Sequence, residues 1–176
     1  MLDVVTTGEL DDAAAAPLLE GLFQEYSTRY GEGAVREFDR HPAEQFSAAN
    51  GGALVLLVED GQTVAGGALR AFDPAYAAEG VLGADFPAER TTEFKRIWTH
   101  AQYRRRGLGR RVLTELEDLA AGLGYRRVFL TTGPRQPEAV ALYLAAGYTE
   151  LTDAGAAARG FALHPFTKAL TETPES

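Results

Sequence analysis

Eight consecutive residues, Arg104-Arg105-Arg106-Gly107-Leu108-Gly109-Arg110-Arg111, carry five of the chain's 17 basic side chains. The net charge is −8 and the pI near 4.9, so so dense a cationic stretch calls for a reason. From Leu108 onward, apolar residues recur at Val112, Leu116, Leu119 and Leu123, a spacing that predicts an amphipathic helix over residues 107–124. Gly107 and Gly109 then stand at the start of that helix. Unpaired backbone N–H groups and the helix dipole favour an anion there by about 0.3–1 kcal/mol. Glycine removes the Cβ that would keep a phosphate off the backbone. Arginine adds charge-assisted hydrogen bonds to phosphate oxygens. Together these residues point to a diphosphate site. One alternative is a solvated basic cluster paired with Glu115, Glu117 and Asp118. Another is a nucleic-acid patch, which the acidic balance of the chain opposes.

Other chemistries have little to work with. No Gly-Lys pair exists, so the GxxxxGK[ST] phosphate loop is absent, and Gly107-Leu108-Gly109-Arg110-Arg111-Val112 lacks the third glycine of GxGxxG. There is no cysteine, hence no disulfide, thiolate nucleophile or thiolate metal site. His41, His100 and His164 show no metal-ligand spacing, and no metal is expected. The three serines, Ser27, Ser47 and Ser176, form no GxSxG elbow.

The elements that must position the arginine–glycine turn follow from hydropathy pattern and turn signals. With 176 residues the chain has the size of one domain and can bury about 70 % of its unfolded surface. Its 45 % hydrophobic and 24 % charged residues are ordinary for a globular protein. It has no apolar run of about 18 residues, so no membrane span is expected. Met1–Glu9 lacks a signal-peptide pattern, and a cytoplasmic location is expected. Residues 3–8 read as a first strand, and 12–30 as an amphipathic helix starting nearer 16 because of Pro17. Residues 42–50 read as a short second helix. Ala53–Glu59 is a buried strand, and Asp60-Gly61 is a hairpin turn. Gln62–Phe72 is the partner strand, with Gly66-Gly67 marking a bulge or a close backbone approach. Residues 73–90 read as a long loop. Thr91–Thr99 is the next strand and the 107–124 helix follows. Tyr125–Thr132 is a strand, Pro137–Ala146 a helix stopped by Gly147, and Tyr148–Thr152 and Phe161–Leu170 the last strands. Strand–helix–strand units favour parallel pairing and the hairpin adds antiparallel edges. An α/β fold with a mixed sheet and helices on its faces results.

The turn matches R-x-x-G-x-G at Arg104, Gly107 and Gly109. A later helix reads Ala139-x-x-Leu142-Tyr143-x-x-x-Gly147-Tyr148. In pattern, order and spacing this resembles the GNAT N-acetyltransferases over about residues 50–170. The resemblance implies one acetyltransferase domain over 1–176, with a mostly antiparallel sheet, a splayed parallel strand pair and flanking helices. It implies acetyl-CoA as co-substrate. The diphosphate would rest on Arg104, Arg105, Arg106, Gly107, Leu108, Gly109 and Arg110. The backbone of Ile97, Trp98 and Thr99 would hold the pantetheine and acetyl group, with the Trp98 N–H as oxyanion donor. Gln136 stands where many members place an asparagine that bonds the coenzyme's arm, and a glutamine makes that contact only with a different reach.

In this family the tyrosine of L-Y-x-x-x-G lies near the coenzyme sulfur, which makes Tyr143 the general-acid candidate; a phenol donates to a thiolate without carrying charge. Glu93 lies fourteen residues before Gly107, the offset of a base glutamate in relatives that acetylate lysines, and is the base candidate. Strand alternation sets it on one face with Lys95, Ile97 and Thr99 unless a bulge intervenes. Tyr26, Tyr30, Phe72 and Tyr76 are candidate acceptor-pocket walls. Asp73, Glu79, Asp85 and Glu89 make an acidic loop suited to a cationic amine. The implied reaction is acetylation of a primary amine of a small molecule or amino acid by direct attack. The alternatives are a protein N-terminus or lysine, or acyl-CoA binding without turnover. No nucleic-acid or membrane partner is expected, and by family analogy a homodimer is.

Overall fold

Asp60 and Gly61 both take positive φ, 50° and 79°, the two left-handed centres of a type I′ hairpin turn. They join β2 (Ala53–Glu59) to β3 (Gln62–Ala71), as the Asp-Gly signal predicts. In this computed structural model the described residues are 1–7, 13–31, 43–74, 86–133, 136–151 and 164–171. β1 (Leu2–Thr7) runs antiparallel along β2, from Leu2 opposite Glu59 to Thr7 opposite Leu54. β4 (Thr91–Thr99), β5 (Arg127–Thr132), β6 (Thr149–Glu150) and β7 (His164–Ala169) complete a seven-stranded sheet of order β1-β2-β3-β4-β5-β7-β6. Its parallel pairing is between β4 and β5, through Thr91↔Arg127, Thr92↔Val128 and Glu93↔Phe129. The α-helices among the described residues are α1 (Ala16–Tyr30), α2 (Leu108–Gly122) and α3 (Pro137–Ala145). The mixed, mostly antiparallel sheet with helices is therefore as expected.

Two expectations are corrected, and at Gly66-Gly67 one of two stated alternatives holds. The helix read over 42–50 is a pair of 3-10 turns, Ala43–Phe46 and Ala48–Asn50. Gly52 packs so closely on the Phe46 carbonyl that a Cβ there would sit at 2.4 Å, so the chain folds back on Phe46. Gly66-Gly67 is a close approach: a Cβ on Gly66 would meet Leu18 of α1 at 2.7 Å, and one on Gly67 would meet Leu116 of α2 at 2.9 Å. The register shift of the hairpin falls instead at Leu57/Val58. The last strands shorten to β6 and β7, and most of the interval between them lies outside the described residues.

By contact density the chain forms two compact units. One comprises Met1–Arg70 with Phe94–Leu119, the other Ala71–Glu93 with Ala120–Ser176. In the first, Leu18 and Leu22 of α1 pack with Phe46, Leu54, Leu56, Ala68 and Trp98. Each leucine so buried contributes about 1.5–3 kcal/mol. Gly21 lets α1 reach this layer, because a Cβ there would lie 2.3–2.5 Å from three atoms of the Trp98 indole. Alanine normally gains about 0.5–1 kcal/mol over glycine inside a helix, whereas overpacking costs about 1–3 kcal/mol. Gly21→Ala is therefore expected to lower stability in denaturant titration and to drop Tm by about 2–4 °C for each kcal/mol lost. A raised Tm would show that the indole yields freely. In the second unit, Phe72, Phe86 and Phe129 form a ring cluster with centroids 5.3–5.8 Å apart.

Candidate coenzyme site

The arginine–glycine turn is built between β4 and α2. His100 closes β4 by donating its N–H to Val64 O at 2.8 Å, and its Nδ1 accepts from Gln102 N at 3.2 Å at the head of a 3-10 turn, Ala101–Tyr103. The chain then passes through Arg104 in extended geometry, Arg105 at φ +63° and Gly107 at φ +74°. A left-handed arginine costs about 1–3 kcal/mol and persists only where its surroundings hold it. The first helical bond of α2 is donated by Arg111 N to Gly107 O, at 3.0 Å. The N–H groups of Leu108, Gly109 and Arg110 precede it and have no acceptor within the helix. Leu108 is buried and anchors the helix start, while a Cβ on Gly107 would meet nothing within 4 Å. Open space and the positive end of a 15-residue helix fit a diphosphate.

The side chains of the turn divide. Arg111 pairs with Glu115 at 2.6 Å, one of the carboxylates expected of a solvated cluster. Arg104 reaches Glu25 of α1 at 3.5 Å, and Glu25 also pairs with Arg29 at 3.2 Å. Arg106 is held by Glu59 of β2 through both oxygens, at 2.7 and 3.0 Å, with its guanidinium 5.2 Å from the Tyr103 ring centroid. The hydrogen bonds and charge of Arg106 keep the Glu59 carboxyl below the usual carboxylate range, while burial works the other way; Glu59 in turn raises the Arg106 guanidinium. The pair's stabilisation is present above the ordinary carboxylate range and is lost as pH falls through the lowered value. Arg105 and Arg110 are exposed. Glu25 and Glu59 are not legible as partners of the turn from sequence, since each belongs to an element remote in the chain and no local pattern marks it.

β4 is irregular where the acetyl group is expected. Phe72 N donates to Thr91 O, and His100 N to Val64 O. These rungs are eight residues apart on β3 and nine on β4, so β4 carries one residue more. Within that span Arg96 has a left-handed backbone, φ +60°, as at a β-bulge. The ladder to β5 ends three residues earlier, at Glu93↔Phe129. The simple alternation that placed Glu93 and Ile97 on one face does not carry across Arg96. Ile97 lies by Gly67 on the α2 side of the sheet, and Trp98 packs on Gly21 of α1. The Trp98 indole is thus a core group, edge-on to His100 with centroids 5.9 Å apart. Glu93 is fully buried beside buried Thr91 and Thr92.

Tyr143 sits on α3, buried against Phe166 and Tyr148, with ring centroids 5.5 and 5.9 Å away. α3 starts at Pro137 after Gln136, whose Oε1 accepts from Thr132 Oγ1 at 2.8 Å. It stops before Gly147, at φ +88°, where Tyr148 N returns to Tyr143 O at 3.0 Å. Lys168 Nζ donates to Ala146 O at 2.9 Å and closes this helix end.

Of the acceptor candidates, Tyr26 and Tyr30 are half-buried with centroids 6.2 Å apart, whereas Phe72 belongs to the phenylalanine cluster. Tyr76, Glu79 and Asp85 lie outside the described residues, as does His41. A cavity of about 650 Å³ opens beside α1, with Glu20, Gln24, Glu25, Trp98, His100 and Arg104 among its walls. Among the described residues no three His, Asp or Glu side chains are grouped to hold a metal ion. No helix there is long and apolar enough to cross a membrane.

Among the described residues, the mixed seven-stranded sheet with its parallel β4/β5 pair and three helices matches the fold of solved GNAT acetyltransferases. The chain belongs to the acetyltransferase (GNAT) family, whose model matches residues 18–148. The match begins inside α1, earlier than the motifs alone suggested. Among solved structures, an acetyltransferase of the GNAT family from Staphylococcus aureus Mu50 is 14 % identical, with TM-score 0.72 over 97 % of this chain and 100 % of its own. The PaiA N-acetyltransferase of Thermoplasma acidophilum, solved in complex with coenzyme A, is 12 % identical, with TM-score 0.68 over 96 % and 99 %. N-acetylglutamate synthase from Neisseria gonorrhoeae, complexed with coenzyme A and N-acetyl-glutamate, is 16 % identical, with TM-score 0.59 over 96 % of this chain and 35 % of its own. These identities establish likeness of fold. No curated protein matches the chain in sequence.

Proposed function

We propose that the protein is an acetyl-CoA-dependent N-acetyltransferase that acetylates a primary amine of a small molecule or amino acid by direct attack. The observation that carries this is the start of α2, where left-handed Gly107 leaves open space at the positive end of a 15-residue helix. The turn Arg104–Arg110 holds the diphosphate and the main chain of Ile97–Thr99 the pantetheine. Gln136, whose Oε1 is taken by Thr132, offers its amide N–H groups to the coenzyme's arm. Acetyl-CoA supplies an activated thioester carbonyl. Glu93, directly or through a water, takes a proton from the acceptor nitrogen as the C–N bond forms. The Trp98 N–H steadies the oxyanion. As the C–S bond breaks, Tyr143 gives its proton to the sulfur.

The test is a panel of amines, amino acids and peptides read by release of coenzyme thiol. Release with small amines or amino acids supports the proposal. Release with peptide N-termini or lysines alone moves the acceptor to protein. Coenzyme binding with no release across the panel makes the chain a binding module. The base must accept the acceptor's proton, which an amide oxygen does poorly. Glu93→Gln is therefore expected to lower kcat by about 10²-fold or more at saturating amine. An unchanged kcat assigns Glu93 to the core.

A further inference from the structure

We infer that Glu59 is a positioning residue for the coenzyme turn, acting through Arg106, whose guanidinium braces the turn and does not grip phosphate. This rests on the coenzyme reading above. Arg106 stands between the two left-handed residues of the turn, Arg105 and Gly107. That backbone path has to be held from outside, and Arg106 is where it is held. Both oxygens of Glu59 bond to its two terminal nitrogens, in the fork-on-fork geometry that fixes direction as well as distance. The Tyr103 ring lies beneath the guanidinium, and Tyr103 is itself tied back by its N–H to His100 O at 2.9 Å and by an edge contact with the His100 ring. The anchor is stiff. Glu59 is the last residue of β2, paired with Leu2 of β1 on one side and Gln62 of β3 on the other, directly before the Asp60-Gly61 turn. Arg104 differs, with a single longer contact to Glu25. Arg106 is committed to Glu59, so its guanidinium serves the shape of the turn and not the phosphate.

The experiment measures acetyl-CoA Kd by calorimetry, together with KM, kcat and Tm, for the full chain and for Glu59→Ala, Glu59→Gln, Arg106→Lys and the double variant Glu59→Ala/Arg106→Ala. An exposed ion pair adds little to global stability, so Tm is expected to stay near wild type. Glu59→Ala should weaken coenzyme binding about tenfold with kcat changed less than about threefold, and Glu59→Gln, which keeps the shape, should recover part of the loss. Arg106→Lys keeps the charge but loses the fork and should behave like Glu59→Ala. The double variant should be no worse than either single change, because both remove one brace. If Glu59→Ala tightens binding, the carboxylate competes with phosphate for Arg106 and the inference is wrong. It is equally wrong if Arg106→Lys binds as wild type does, or if Glu59→Ala lowers Tm while Kd holds. A wild-type chain that binds no coenzyme overturns the coenzyme reading itself, and this inference with it.

Discussion

Gly107→Asp is expected to abolish coenzyme binding detectable by calorimetry, while Gly107→Asn retains most of it. Two different penalties meet at this residue and the pair of variants separates them. The first is conformational. At φ +74° any side chain is strained, although a Cβ finds nothing within 4 Å to clash with. Asparagine and aspartate tolerate the left-handed region about equally, so each costs of order 1 kcal/mol. The second penalty is charge, and only aspartate carries it. Like unit charges about 4 Å apart near a protein surface repel by about 4 kcal/mol, somewhat less once salt screens them. A net loss of ~3 kcal/mol is roughly 100-fold in affinity, and a diphosphate presents more than one charge. Nearly equal binding by the two variants would mean that no anion approaches Gly107. The phosphate site, and the function built on it, would fall together.

The parts of this site that sequence makes legible share a physical basis: each is a local signal. Asp60-Gly61 names its own turn, and the strands on either side follow to within a residue. Pro137 and Gly147 bracket α3 because one lacks an N–H and the other takes φ +88°. The start of α2 is readable from Gly107, but its end is less so. The apolar spacing runs on to Leu123, yet the helix stops at Gly122 and Leu123 is left 52 % exposed. Periodicity reports what an extended helix would bury, and the backbone leaves that path first. Other features depend on residues far apart in the chain and leave no local trace. Nothing in Thr91–Thr99 announces a left-handed arginine at 96, since no glycine or asparagine stands there. The ionic partners of the turn come from α1 and β2, dozens of residues upstream. Reading the arginine run as a set of phosphate ligands counts charges correctly, but leaves unseen how many of them already face a carboxylate.

Tyr143→Phe is expected to lower kcat by about 10²–10⁴-fold while acetyl-CoA Kd stays within a factor of two or so. The substitution is well chosen for this position. Tyr143 is buried, with its ring between Phe166 and Tyr148, so Tyr143→Ala would open a cavity at a cost of about 3–5 kcal/mol and confuse chemistry with folding. Phenylalanine keeps the ring contacts and removes one oxygen. Any hydrogen bond that goes with it is worth about 1 kcal/mol, a change that Tm can register separately. What the oxygen supplies to the reaction is larger. The departing thiolate must gain a proton, and a neutral phenol held by packed rings delivers it without placing a second negative charge beside the sulfur. Binding draws on the turn before α2, which carries its own donors and charge, so affinity should be indifferent to this hydroxyl. A variant with unchanged kcat and a slightly altered Tm would make Tyr143 a packing residue, and the proton for the sulfur would have to come from solvent.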